Sequence, residues 1–252
     1  MIPKYFRQSF QLTALVLMFG VLSSCSAISL ACFLNGKRYS EAGNTQAAIG
    51  EYNKAISFDP RRSEFYHYRA TEFEALGEHQ NAINDLTKAL ELISKDDFYE
   101  ENSIYSFRGE IWYKLEHYQQ AIEDFTSAIK YSKDDAANEL VERACSFAKL
   151  GNYKNAIADL TKAITFRKDN PSYYRNRAWC YSKVGQYQNV VNDCTKAINL
   201  DPTDSFDYSV PKLAPKNGAS YRQRAEAYEK LGKKDLAASD EKTAKQMGGP
   251  TG

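Results

Sequence analysis

The sequence predicts an all-α chain of about six helix-turn-helix units stacked as a solenoid. Three observations predict it. One ten-residue phrase keeps returning: "EYNKAISFDP" from Glu51, "DLTKALELIS" from Asp85, "DFTSAIKYSK" from Asp124, "DLTKAITFRK" from Asp159 and "DCTKAINLDP" from Asp193. The intervals are 34, 39, 35 and 34 residues, and a frayed sixth copy, "DEKTAKQMGG", begins at Asp240. Periods of this length are those of repeat architectures. Second, apolar residues around each phrase recur at helical spacing. Third, turn signals, mostly a single Gly, divide every unit into two halves.

The fifth copy shows the unit most clearly. Asn170 before Pro171 predicts a helix start, with Pro in the first turn. Tyr174, Ala178 and Tyr181 then fall at i, i+4 and i+7, the apolar stripe of an amphipathic helix. Gly185 breaks the pattern, and a second stripe carries Val190, Val191, Cys194, Ala197 and Ile198. Asp201-Pro202 ends it, because a residue before Pro avoids the α region.

Read in order, the chain begins with a basic start and an apolar run from Leu12 to Leu22. Eleven residues suit the h-region of a signal peptide rather than a membrane span. The "LSSC" that closes it, Leu22 to Cys25, resembles a bacterial lipobox. That resemblance implies cleavage of residues 1–24, acyl chains on Cys25, a short tether over 25–28 and a place in the cell envelope, the outer membrane included. The rival reading is an uncleaved signal anchor, since residues 8–36 hold no charge; the repeats would then be cytoplasmic. Six units follow at 29–62, 63–96, 102–135, 137–170, 171–204 and 218–251. The spacers are "DDFYE" at 97–101, Ala136, and a Pro-containing insertion at 205–217 that reads as an extended loop. In the second helices Ala48, Ala82, Ala121, Ala156 and Ala237 stand where Val190 stands, letting helices approach closely. The equivalents of Tyr181 are Tyr39, Phe73, Trp112, Phe147 and Tyr228; those of Tyr174 are Cys32, Tyr66, Tyr105, Leu140 and Tyr221. Much of the excess of aromatic residues is therefore expected in the core.

Unit length, two-helix grammar, small and aromatic positions and the closing Asp-Pro resemble the tetratricopeptide repeat. The resemblance covers about residues 29–251. It implies a right-handed superhelix whose first helices line a concave trough, and a protein or peptide partner held there without covalent chemistry. It carries the inward positions onto Lys37, His67, Thr71, Glu110, Tyr113, Cys145, Arg175, Trp179, Ser182, Arg222 and Glu226. Arg175 and Trp179 share one face, and Arg and Trp dominate binding hot spots, so the fifth and sixth units are the expected contact. Packing of Trp179 under the 205–217 loop is the alternative. Relatives that clamp acidic chaperone tails use Lys and Asn in the trough. The positions equivalent to Trp179 hold no Asn, which argues against that function. In general plan the chain is similar to pilotins that help secretins assemble and to outer-membrane assembly factors.

A second recurrence is ionic. Arg69, Arg108, Arg143, Arg177 and Arg224 each precede an Asp by 16 residues: Asp85, Asp124, Asp159, Asp193 and Asp240. Arg lies on the first helix and Asp on the second, so an ion pair inside each hairpin is expected. The first unit departs, with Asn35 and Glu51 at these places.

Composition narrows the function. Net charge is +1, and −1 without residues 1–24, which hold Lys4 and Arg7. No long run of one sign suggests a nucleic-acid footprint. The three His are isolated, and the Cys residues lack metal-site spacing, though an exported chain could pair Cys180 with Cys194. No phosphate loop or nucleophile elbow is present. Neither an enzyme nor a cofactor or metal is expected.

Overall fold

The computed structural model describes residues 25–93, 98–132, 135–203 and 218–247. The leader at 1–24 and the insertion at 205–217 lie outside the described residues. Every regular element described is helical, and no strand occurs among the described residues. The order is α1 (25–41), α2 (Thr45–Phe58), α3 (Ser63–Ala75), α4 (His79–Leu92), α5 (Phe98–Lys114), α6 (Tyr118–Tyr131), α7 (Ala137–Lys149), α8 (Tyr153–Phe166), α9 (Pro171–Lys183), α10 (Tyr187–Leu200), α11 (Ala219–Lys230) and α12 (Lys234–Met247). The chain is thus an all-α array of helix-turn-helix pairs. It divides into two compact units, residues 1–104 and 105–252. Within the first, α2 packs on α3 and α3 on α4; within the second, α6 through α12 pack in sequence order.

Each hairpin turns the same way. The residue after the first helix's C-cap takes a positive φ: Gly43, Gly77, Gly151, Gly185 and Gly232 lie at +72 to +75°. The following N–H reaches back to the sixth residue, as Glu78 N does to Phe73 O at 2.8 Å and Asn152 N to Phe147 O at 2.8 Å. This is the left-handed helix ending that glycine adopts without steric cost. The third hairpin makes the same turn on Glu116, φ +62°, with His117 N on Trp112 O at 2.9 Å. Asn170 caps α9 as its sequence suggests, its side chain accepting from Ser172 N at 2.9 Å.

The small positions are core: Ala48, Ala82, Ala121 and Ala156 have no exposed surface, nor has Val190. Two readings of the sequence need correction. The 97–101 spacer is not simply a linker, because α5 starts at Phe98 and runs 17 residues where α3, α7 and α9 run 13. Residues 25–28, expected as a short tether, are the first turn of α1. Among the described residues no helix is long and apolar enough to cross a membrane.

Candidate binding faces of the first helices

The Arg of each of the five later hairpins grips the Asp of the same hairpin through two parallel hydrogen bonds. Arg69 donates from Nε and Nη2 to Asp85 at 2.7 and 2.6 Å. Arg108 to Asp124, Arg143 to Asp159, Arg177 to Asp193 and Arg224 to Asp240 repeat the fork at 2.7–2.9 Å. The third arm reaches the preceding hairpin. Nη1 of Arg143, Arg177 and Arg224 donates to Thr126, Thr161 and Thr195 at 2.9–3.0 Å, and that of Arg69 to Asn53 at 2.6 Å. In the recurring D-x-T, Asp therefore serves its own hairpin and Thr the next. Burial works against the charge on Arg108 and Arg177, yet their bonds to Asp124 and Asp193 outweigh it and raise both guanidinium pKa values.

The aromatic recurrence belongs to this ladder more than to the core. Rings three before and four after the Arg flank its guanidinium: Tyr66 and Phe73 lie 5.6 Å from Arg69, and Tyr174 and Tyr181 lie 5.8 Å from Arg177. Arg224 sits between Tyr221 and Tyr228 at 5.5 and 6.0 Å. Arg143 keeps one ring, Phe147 at 5.8 Å, opposite Leu140. Cation–π contact of this kind suits rings that stay partly open. Of the residues expected in the core, Phe73, Trp112, Phe147, Tyr181 and Tyr228 are half-buried and Tyr39 is exposed.

The inward positions divide between the two units. In the first, Lys37 holds its Nζ 5.0 Å from the centre of the Tyr68 ring, and His67 lies 5.9 Å from the same ring. Burial lowers the His67 pKa. Thr71 is exposed, with its hydroxyl on His67 O. Tyr68 itself was missed in the sequence: it sits next to the ladder Arg, a place with no common residue type among the copies.

In the second unit, Glu110 on α5 is exposed, and Tyr113 packs edge-on against Tyr118 at 5.4 Å. Behind them on α7 is Glu142, whose pKa is pushed up to about 8, first by burial and then by Glu110 and Glu139. Burial, with Cys145 and Glu142 next, also raises the Tyr113 hydroxyl. Cys145 has no exposed surface, so this inward position offers nothing to a partner. Trp179 is half-buried, edge-on to Tyr153 at 5.8 Å, with Lys183 Nζ 4.9 Å from its ring centre. Ser182 is bonded to Trp179 O at 2.7 Å. Arg175, paired with Trp179 in the sequence reading, is 8% exposed and donates to Ser172 Oγ at 2.9 Å. It is withdrawn into the packing, because a wheel projection cannot see what covers a helix face. Arg222 is half-buried and Glu226 exposed.

The five described Cys are free thiols. Cys180 packs with Cys145 in one core cluster and Cys194 lies in another, so the Cys180–Cys194 pairing is not formed. Burial pushes the Cys180 pKa up to about 12, away from thiolate reactivity. Among the described residues no group of three or more His, Cys, Asp and Glu is placed to hold a metal ion.

Tandem helical hairpins, the later ones each closed by the same Arg–Asp fork, define an α-repeat protein. The tetratricopeptide repeat model matches residues 63–96, 140–170 and 171–204. A curated relative, the tetratricopeptide repeat protein 36 homolog of Nematostella vectensis, is 39% identical over 59 residues. The match covers 23% of this chain, which spans about a third (33%) of that relative's length. Solved structures agree in fold. YrrB, described as a TPR protein with an unusual peptide-binding site, superposes with TM-score 0.63 at 17% identity, over 78% of this chain and 91% of its own. MamA gives 0.64 at 19% identity, over 74% and 98%. The pilF protein of Pseudomonas aeruginosa gives 0.64 at 17% identity, over 89% and 93%.

Proposed function

We propose that the protein is a membrane-tethered interaction scaffold that holds a segment of another protein along the inner faces of its first helices. Tetratricopeptide repeats generally mediate protein–protein interaction. The observation that carries the reading is how each first helix divides its residues. Ladder and core positions are consumed by the hairpin, while Thr71, Glu110 and Glu226 stay exposed and Lys37, His67, Tyr113, Trp179, Ser182 and Arg222 remain partly open. YrrB's peptide-binding site is the precedent in a protein of like fold. Substitution at two exposed positions, Thr71→Lys with Glu226→Lys, tests it. The variant should keep the wild-type melting midpoint and lose the partner captured from envelope extracts; unchanged capture overturns the trough as the contact.

The tether is the lipidated Cys25 of an envelope lipoprotein, and the helical 25–28 stretch would hold the first hairpin close to the bilayer. Assembly of a secretin, a pilus or the outer membrane is the kind of process such a scaffold serves. Labelling with radioactive palmitate followed by membrane fractionation tests the anchor. Cys25→Ser should lose both label and membrane association. Association without label in the wild type would instead establish the uncleaved signal anchor with cytoplasmic repeats.

A further inference from the structure

The first hairpin lacks the one side chain that every later hairpin carries in its seam. Where the ladder Arg would stand it has Asn35, a shorter and uncharged residue. The surroundings of that missing group are nevertheless retained. Glu51 stands at the acid position on α2, Tyr39 at the ring position four residues on, and Cys32 opposite it. The result is a pocket of ≈ 270 Å³ lined by Asn35, Arg38, Tyr39, Ala42 and Glu51. Two of these five, Tyr39 and Glu51, stand at positions that cradle the guanidinium elsewhere, and Asn35 stands where the Arg itself would be.

We propose that this pocket is an open guanidinium slot, which takes an arginine side chain from the bound polypeptide. Arg fits because its planar fork meets a carboxylate through two bonds and its face stacks on a ring; Lys does neither as well. The fork and ring are what the other five hairpins use. One ring suffices, since Arg143 has only Phe147. Glu51 is bonded to Lys54 at 2.5 Å, but Lys54 is 61% exposed. A Lys stands at the same place in three hairpins that still hold their Arg: Lys88, Lys162 and Lys196. Lys54 is therefore no substitute for the missing group. Arg38 on the pocket wall is the one lining charge that opposes an incoming cation.

The inference rests on the scaffold reading for its partner, but the slot shares no residue with the trough, and a small probe reads it separately. Titration of N-acetyl-arginine amide into the full chain, followed by NMR, should show saturable binding in the millimolar range. N-acetyl-lysine amide and the Glu51→Gln variant should each bind about tenfold more weakly. Asn35→Arg should abolish probe binding and raise the melting midpoint, because it supplies the occupant from within. Equal binding of the two amides, insensitivity to Glu51→Gln, or a lowered midpoint in Asn35→Arg would overturn the proposal. So would binding that appears only in Arg38→Ala, which would make the chain's own Arg38 the occupant.

Discussion

A carboxylate stranded in the seam between two helices costs more than the ion pair gains. Asp159 is 8% exposed, and both its oxygens are taken by Arg143. Arg143→Leu should destabilise the protein by about 1–3 kcal/mol in urea unfolding, because a buried acceptor loses its partner. Arg143→Leu with Asp159→Leu should recover most of that loss, since an apolar pair leaves nothing unsatisfied. Glu142 presents the opposite problem, a carboxyl buried beside two further carboxylates, Glu110 and Glu139. Its pKa rises from 4.5 to about 8 through burial first, then Glu110 and Glu139. The folded state therefore holds this proton more tightly than the unfolded chain does. Its stability is greatest below pH 4.5 and falls as pH rises toward 8. Glu142→Gln should melt several degrees higher at pH 8.5, about 1–2 kcal/mol after allowance for partial exposure, and like the wild type at pH 4. Thermal scans at the two pH values decide it; equal gains at both would assign the effect to packing.

Between paired helices the chain conserves volume. A Cβ on Gly109 would lie 2.9 Å from the Phe125 ring, and one on Gly36 would overlap the Tyr52 ring. The same place holds Ala where the facing residue is smaller: Ala70 with Leu86, Ala144 with Leu160 and Ala178 with Cys194. Gly109→Ala should thus destabilise by about 1–3 kcal/mol through overpacking, although Ala is the better helix former by about 1 kcal/mol. Adding Phe125→Leu should restore stability, with the helical gain then visible in the urea midpoint. The turn after α5 invites the reverse change. Glu116 holds a left-handed φ of +62° that Gly occupies in the other five hairpin turns. Glu116→Gly should stabilise by about 0.5–1 kcal/mol, less than the full cost of the left-handed residue because Gly also loosens the unfolded chain.

Over the whole molecule, regularity decided what could be read in the sequence. Hairpins and turns were legible because Gly and helical spacing act locally. The 16-residue interval was legible because two antiparallel helices fix which positions meet across their seam. Arg175 was misread, since its burial depends on neighbours that its own helix does not specify. The structure of the 97–101 spacer was not legible, because inserted length alone does not say whether it adds a helical turn. Threonine's part went unnoticed for a different reason: it acts one repeat further along. That last point makes the ladder directional. Asp closes a hairpin, and the residue two further on accepts from the Arg of the next: Asn53 from Arg69 in the first unit, and Thr126, Thr161 and Thr195 from Arg143, Arg177 and Arg224 in the second. In the sixth repeat Lys242 stands at the Thr position. Stability in a repeat array is approximately a sum of terms for each repeat and each neighbouring pair. Thr161→Val removes a coupling bond without touching either flanking ion pair, Arg143–Asp159 or Arg177–Asp193. It should cost about 0.5–1.5 kcal/mol, one hydrogen bond to a charged donor. The cost should appear as earlier opening of the α9–α10 hairpin relative to α7–α8 in hydrogen exchange, not as uniform loss. Even loss of protection across both hairpins would show that the ladder stabilises repeats singly and couples nothing.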